Sequence, residues 1–167
     1  MGGVICREGT HEISEGLMSR ILSPYFSSCR YLKSAEFESG DRMGIRGELE
    51  IPSSCYVESS GHFNAVEMVI CFNQLSYVMF GEAMERGLLP RPNIRTIEDY
   101  EEIQLGNVLI TKSEMQFKKI INPSSFSGSV YVNKSRKIRD SLFYSMETEF
   151  RDLGDGLAMG QFSLIVV

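Results

Sequence analysis

The stretch that decides the fold is AVEMVICFNQLSYVMFGEAMER, residues 65–86. It carries apolar side chains on nearly every face of a helix, and a helix that is apolar all round is a buried one. At 1.5 Å per residue, about 22 residues span roughly 33 Å, which is enough to cross a small domain. We therefore predict a long central helix around which the rest of the chain is organised.

Both ends of this helix carry recognisable signals. The Asn64 side chain can accept a hydrogen bond from a first-turn N–H, while Glu67, three residues later, can reach back to the Asn64 backbone. Gly87 offers a stop at the other end, and the prolines of residues 90–92 prevent the helix from continuing. The helix is predicted to begin directly after Asn64 and to end before Gly87.

The flanking segments alternate between short helices and strands. Apolar spacing predicts an amphipathic helix at residues 12–22 and another helix at residues 97–105. Strand patterns occur at residues 29–38, 43–51, 107–117, 125–133, 141–151 and 158–167. Strands that flank one all-apolar helix predict an α+β hot-dog fold, in which a curved antiparallel sheet wraps the long central helix. We expect residues 1–167 to form a single hot-dog domain, with residues 1–11 poorly ordered.

Composition excludes several classes of function. The 167-residue chain has a net charge of -5 and a pI near 5.1, and its basic residues occur in runs no longer than two, so we expect no nucleic-acid partner. The most apolar stretch, residues 66–80, is interrupted by Asn73, Gln74 and Ser76 and falls short of the ~20 residues of a spanning helix, so no membrane insertion is expected. Residues 1–10 lack the pattern of a secretory signal, which predicts a cytoplasmic protein.

The metal-ligating residue types are sparse. The four cysteines show no C-x-x-C spacing, and the chain has only two histidines, so no metal site is predicted. The cysteines are interpreted as reduced thiols with structural roles.

Polar residues gather where the central helix begins, although the sequence has no G-x-S-x-G elbow, no glycine-rich phosphate loop and no H-E-x-x-H motif. The first N–H groups of a helix can stabilise an oxygen that gains negative charge, and here they belong to residues 64–66, including Ala65. Gly61 permits a close approach of substrate. We predict a thioester oxyanion site formed by this polar cluster, which contains Ser59, Ser60, Gly61, His62, Asn64 and Glu67.

Three of the polar residues allow both a chemical and a structural role. His62 can transfer a proton near neutral pH, or it can simply bond to the backbone at the start of the helix. Glu67 can act on substrate, or it can serve only as the cap. Asn73 lies inside the apolar helix, where an amide without partners costs about 1 to 3 kcal/mol, so it must bond to protein, water or substrate.

Four further residues are candidates of lower specificity. Lys118 and Lys119, which follow a predicted strand, can meet the phosphates of CoA or of a phosphopantetheine arm, or can be solvated surface lysines. Tyr25 and Tyr56 can donate hydroxyl hydrogen bonds.

Two motifs carry a family resemblance. Residues 60–67, SGHFNAVE, and residues 71–75, CFNQL, resemble the core motif of the FcoT-type fatty acyl thioesterase family, which includes (2E)-enoyl-ACP glycyltransferases. Further matches follow in the same order at residues 24–25, 29–32, 56, 99–100, 117–119 and 122–123. The resemblance implies a hot-dog fold whose protomers pair, with sites near the dimer interface that lack the usual catalytic carboxylate.

The resemblance also implies roles for individual positions. By matching position, Tyr25, Tyr56, His62, Asn64 and Asn73 would be catalytic, and Gly61, Ala65, Glu67, Lys118 and Lys119 would bind substrate. No cofactor is implied, since the substrate is carried on the phosphopantetheine of an acyl carrier protein or of CoA. The implied assembly is a homo-oligomer of dimer units, up to a hexamer.

Two activities are linked to this family. One is addition of glycine to the β-carbon of a (2E)-enoyl-ACP in isonitrile lipopeptide biosynthesis, with hydrolysis then releasing a 3-[(carboxymethyl)amino] fatty acid. The other is hydrolysis of long-chain acyl-CoA. The sequence favours glycine addition, because it offers no general-base carboxylate at the site beyond Glu67. Arg30 is a candidate for the glycine carboxylate on chemical grounds alone, since the sequence does not place it in the site. A non-catalytic acyl-binding module is the third hypothesis.

Overall fold

The computed structural model describes residues 9–58, 60–89 and 94–167. The predicted proline stop at residues 90–92 and the first eight residues lie outside this part of the chain. Along the chain, the elements are β1 (Gly9–Glu12), α1 (Glu15–Ile21), a short 3-10 turn (Ser27–Cys29), β2 (Leu32–Ser39), β3 (Met43–Leu49), α2 (Ala65–Glu85), α3 (Ile97–Ile103), β4 (Val108–Lys119), β5 (Phe126–Ile138), β6 (Ser141–Arg151) and β7 (Leu157–Val166).

The described strands form one antiparallel sheet of seven, in the order β1-β2-β3-β5-β6-β7-β4. Side chains alternate between its two faces, as in β6, where Leu142, Tyr144 and Met146 are buried while Ser145 is exposed. The buried face curves around α2, which contacts β2, β3 and β5. This arrangement confirms the predicted α+β hot-dog architecture.

The core is formed where α2 meets the sheet. The Phe72 ring stacks on Phe162 of β7 at 3.8 Å between centroids, and both rings are buried. Burying each such side chain contributes about 1.5 to 3 kcal/mol. The sheet approaches the helix closely at Gly160, where a Cβ would lie 2.8 Å from the Met68 side chain. A larger residue at this position would force the Met68 methyl group and the Phe162 ring to move.

The predicted boundaries of α2 are confirmed at both ends. The helix covers 21 residues, and the capping box formed by Asn64 and Glu67 is present. At the other end the Gly87 N–H donates to the Met84 carbonyl, and Gly87 has a φ of 68°, a left-handed conformation that glycine adopts without strain. No helix in the described part of the chain is long and apolar enough to cross a membrane.

The N-terminal region differs from the sequence-based expectation. Residues 9–11 were expected to be poorly ordered and residue 12 to begin a helix, but Gly9–Glu12 form β1 and pair with β2. The His11 Nε2 atom also lies 2.9 Å from Glu82 Oε1 of α2. Helix α1 begins later, at Glu15, because the Ser14 side chain accepts a hydrogen bond from the Leu17 N–H and caps it there.

Candidate active site

The entrance to α2 is anchored by one buried aromatic residue. The Phe63 ring packs against Phe126 and Phe150, with centroid distances of 4.9 and 5.1 Å, and the Phe63 N–H donates to the Ile121 carbonyl. Gly61, just before it, has a φ of 73° and is exposed. The buried ring therefore holds the start of the helix against the sheet while residues 61–62 stay at the surface.

Asn64 uses its whole side-chain amide. Its Oδ1 accepts hydrogen bonds from the N–H groups of Val66 and Glu67, at 2.9 and 3.2 Å. Its Nδ2 donates to the Tyr56 hydroxyl at 2.5 Å and to Ser60 Oγ at 3.1 Å. With two bonds accepted and two donated, the amide has little capacity left for a substrate. The structure thus brings Asn64 and Tyr56 together, with Asn64 as the group that positions the tyrosine.

Glu67 is almost completely buried, and both of its carboxylate oxygens are engaged. The Asn64 N–H donates to Oε2 at 3.1 Å, and the Ser54 hydroxyl donates to Oε1 at 2.5 Å. Of the two roles left open by the sequence, this geometry favours the cap. Sequence reasoning missed Ser54, because a contact across 13 residues of irregular loop leaves no local spacing signal.

The oxyanion donors differ in part from the prediction for residues 64–66. The Asn64 N–H is bonded to Glu67, and the Val66 N–H is bonded to Asn64. In the described part of the chain the Ala65 N–H has no hydrogen-bond partner, so it is the open donor of this group. The Tyr56 hydroxyl accepts its bond from Asn64 and keeps its own proton free, so it is a second open donor at this entrance.

His62 lies exposed beside these donors. Its backbone carbonyl accepts a hydrogen bond from Ser60 Oγ at 2.7 Å. Its imidazole ring makes no hydrogen bond to the described residues, so the purely structural role left open by the sequence gains no support. The ring is free to meet a substrate.

The amide that is fully buried in α2 is Gln74 rather than Asn73. The Gln74 side chain accepts hydrogen bonds from the Tyr31 and Leu32 N–H groups at 2.9 and 3.0 Å, and it donates to the Cys29 carbonyl at 2.6 Å. Asn73 was expected to be the buried amide, but it is only half-buried. Rotation by about 100° per residue turns the two neighbours in different directions. Asn73 is therefore left with a face that a ligand can reach.

Tyr25 lies over the same part of α2. Its burial, followed by its proximity to Tyr77 and Cys71, raises the pKa of the Tyr25 hydroxyl above its usual range. The hydroxyl therefore stays neutral at any working pH and can act only as a hydrogen-bond donor or acceptor. On this side of the helix Val66 is exposed, Ile70 and Asn73 are half-buried, and Tyr77 is buried.

Lys118 and Lys119 were predicted to follow a strand, but they form the exposed end of β4. The Lys119 ammonium pairs with Asp155. The Phe117 ring lies 6.2 Å from the Phe63 ring, which places this end of β4 beside the entrance to α2. The two lysines are thus near the predicted site without contacting its polar residues.

A cavity of about 810 Å³ lies elsewhere in the described part of the chain. It opens on the outer face of the sheet and is lined by polar side chains such as Glu48, Ser129 and Glu149. None of the residues predicted for the site lines it. The open donors and the free imidazole are found instead at the α2 entrance.

A long helix with open donors at its entrance, wrapped by an antiparallel sheet, defines a hot-dog protein whose helix entrance can stabilise an oxygen that gains negative charge. Residues 20–166 match the FcoT-like thioesterase domain, and the chain belongs to this family. It is 35% identical over 161 residues to the (2E)-enoyl-[ACP] glycyltransferase of Mycobacterium marinum, covering 93% of this chain and 88% of that protein. It is also 35% identical to the enzyme of that name from Streptomyces coeruleorubidus, covering 92% and 96% of the two chains.

The fold is shared more widely. The dehydratase heterocomplex ApeI:P from Xenorhabdus doucetiae matches with a TM-score of 0.59 over 90% of each chain, at 13% sequence identity. This likeness concerns the fold alone.

Substitutions at Asn64 are expected to separate helix capping from chemistry. Asn64→Ala should lower the free energy of unfolding by about 1 to 2 kcal/mol, because it removes the cap. Asn64→Asp should keep the cap but lose activity, because a carboxylate accepts the Tyr56 proton instead of donating to the hydroxyl oxygen. Urea denaturation and turnover measure the two effects.

A matched control is the second capping box of the protein, formed by Thr96 and Asp99 at the start of α3. Thr96→Ala should lower the free energy of unfolding by about as much as Asn64→Ala does, and it should leave turnover unchanged. A fully active Asn64→Asp enzyme would contradict the role given to the Tyr56 proton.

Proposed function

We propose that the protein adds glycine to the β-carbon of a (2E)-enoyl thioester carried by an acyl carrier protein. The observation that carries this proposal is the 35% identity to (2E)-enoyl-[ACP] glycyltransferases over more than nine-tenths of the chain. The geometry of the α2 entrance supports it, because it offers neutral donors together with a carboxylate, Glu67, whose oxygens are already engaged.

The two donors explain how the addition is assisted. When the glycine nitrogen attacks the β-carbon, the C–N bond forms and the electrons of the C=C bond move to the thioester, which becomes an enolate. The Ala65 N–H and the Tyr56 O–H would bond to the enolate oxygen more strongly than to the initial carbonyl, and such differential binding lowers the barrier.

His62 completes the proton balance. The new secondary ammonium must lose one proton, and the α-carbon must gain one. An imidazole can both accept and donate a proton, so the exposed His62 ring can accept the first proton and supply the second. Tyr25 and Asn73 would bond to the substrate further along α2, and the accessible apolar side chains of Val66 and Ile70 would carry the acyl chain.

Hydrolysis of a fatty acyl thioester is the second candidate function, favoured by the match to a thioesterase domain. The same donors would stabilise the oxyanion formed by attack of water on the carbonyl. In that case Lys118 and Lys119, beside the entrance, would bind the phosphates of CoA or phosphopantetheine. Hydrolysis after glycine addition would release a 3-[(carboxymethyl)amino] fatty acid. The cytoplasmic location and the dimer-based assembly, up to a hexamer, stay predictions.

Mass spectrometry of the carrier protein tests the proposal. The protein is incubated with a (2E)-enoyl-ACP and glycine, and a carrier-bound glycine adduct or the free adduct acid is the expected product. Thiol release from saturated acyl-CoA or acyl-ACP without any adduct would instead establish the hydrolase. Tight binding of acyl ligands with no turnover of either kind would leave only the acyl-binding module.

A further inference from the structure

Among the arginines that the structure describes, Arg30 is the one that is half-buried and also has no acidic partner. The arginines that pair with a carboxylate are Arg20, Arg42, Arg46, Arg86 and Arg151. No salt bridge joins Arg30 to a described carboxylate. A partly desolvated guanidinium without a counter-charge is unfavourable, and a bound anion would offset that cost.

Gln74 fixes the position of Arg30 on the helix. The residues on either side of Arg30 both bond to the Gln74 side chain, through the Cys29 carbonyl and the Tyr31 N–H. The chain at Arg30 therefore crosses α2 directly beside Gln74. Asn73 lies nine residues, or about 13.5 Å, beyond Asn64 along the helix.

The guanidinium itself is held against the backbone of a predicted site residue. Its Nε donates to the Tyr25 carbonyl at 3.0 Å, and its Nη2 donates to the Ser23 carbonyl at 3.2 Å. These two bonds use two of the five N–H groups and fix the orientation of the guanidinium plane. The remaining N–H groups, both on Nη1 and one on Nη2, are arranged to bind a carboxylate by two parallel hydrogen bonds.

The loop that carries Tyr56 reaches the same place. Cys55 precedes Tyr56 in sequence. Burial, followed by a hydrogen bond with the Cys55 thiol, raises the pKa of the Cys29 thiol. Arg30 directly follows Cys29, which touches the loop of Tyr56. The Arg30 side chain itself bonds to the backbone of Tyr25. The segment that carries Arg30 is thus linked both to the backbone of Tyr25 and to the loop that carries Tyr56.

We infer that Arg30 binds the carboxylate of the amino-acid nucleophile and selects an α-amino acid over a simple amine. The inference rests on the proposed function and adds the group that recognises the second substrate. A phosphate of the phosphopantetheine arm has related chemistry, but the entrance at Lys118 and Lys119 offers it a more exposed basic site.

The test compares two nucleophiles that share the same amine group. Glycine and glycinamide differ at the carboxylate, so the ratio of their kcat/KM values with a (2E)-enoyl-ACP isolates its recognition. Arg30→Gln should lower this ratio by about 10- to 100-fold, the range expected for a lost charged hydrogen-bond pair. The ratio for Arg30→Lys should lie between those of the unaltered protein and Arg30→Gln, because lysine keeps the charge but cannot form the two parallel hydrogen bonds. General damage to the position of Tyr25 would slow both nucleophiles alike and leave the ratio unchanged.

Arg42→Gln is the matched control, since Arg42 is exposed and pairs with Glu147 and Asn133. Its ratio should equal that of the unaltered protein. The inference would be overturned if an active Arg30→Gln enzyme kept the ratio unchanged, or if only its KM for enoyl-ACP rose. If Arg30→Gln does not fold, the ratio of the Arg30→Lys enzyme serves as the test. If the unaltered protein adds neither amine, the proposed function itself fails, which is a different result from an unchanged ratio.

Discussion

Replacing Tyr56 with phenylalanine is expected to lower kcat for glycine addition by about 100- to 1,000-fold, the usual effect of removing one oxyanion donor. The Tyr56 hydroxyl accepts a hydrogen bond from Asn64, so its own proton is the one available to the enolate oxygen. The residue is 47% exposed, and the loss of its hydroxyl should change the free energy of unfolding little. The measurement is kcat at saturating enoyl-ACP and glycine, with KM for both substrates determined alongside.

Tyr131→Phe provides the control for this experiment. The Tyr131 hydroxyl donates to Glu38 and accepts from Arg46, so its removal breaks side-chain bonds of similar geometry on the outer face of the sheet. We expect normal turnover from that variant. If Tyr56→Phe kept kcat within about threefold of the unaltered enzyme, the loss would be under 1 kcal/mol and the hydroxyl could not be an oxyanion donor.

The neighbouring amides Asn73 and Gln74 should respond oppositely to alanine substitution. Gln74→Ala leaves the Tyr31 and Leu32 N–H groups and the Cys29 carbonyl buried without partners. Each buried group without a partner costs about 1 to 3 kcal/mol, so the free energy of unfolding should fall by at least about 3 kcal/mol. Asn73→Ala, at a half-buried position, should change stability by less than about 1 kcal/mol and lower turnover by tenfold or more.

Chemical denaturation, followed by turnover of the folded protein, separates these outcomes. The two variants are controls for each other, because they remove adjacent amides from the same helix. Equal destabilisation by both substitutions would mean that Asn73 also has a structural role. Full activity of a stable Asn73→Ala enzyme would remove Asn73 from the site.

Much of the fold follows from local patterns. The all-apolar run of α2 and its capping box depend on residues that are three or four positions apart, and the structure has both where they were predicted. The predicted hairpin of residues 29–38 and 43–51 corresponds to β2 and β3, and the strand predicted at residues 141–151 has the bounds of β6. Each of these elements is long enough for its period to be visible.

Other features of the fold could not be derived in this way. Strand β1 has four residues, too few to show alternation, and it exists because β2 offers it an open edge. The position of β4 beside β7, at the far end of the sheet from β1, results from pairing over about 50 residues. Periodicity shows that a segment is a strand, but it does not show which strand lies next to it.

In the candidate site, too, some features follow from the sequence and others only from the tertiary structure. The sequence by itself determined where α2 begins, which residues cap it and that polar groups gather there, because capping depends on contacts within one helical turn. Only the tertiary structure decided that Tyr56 bonds to Asn64, that Ser54 holds Glu67 and that Arg30 lies beside Tyr25 without an acidic partner. It also decided that Gln74 is buried and Asn73 is not, because a helix that is apolar on every side has no sequence signal for its orientation until the sheet and the loops close around it.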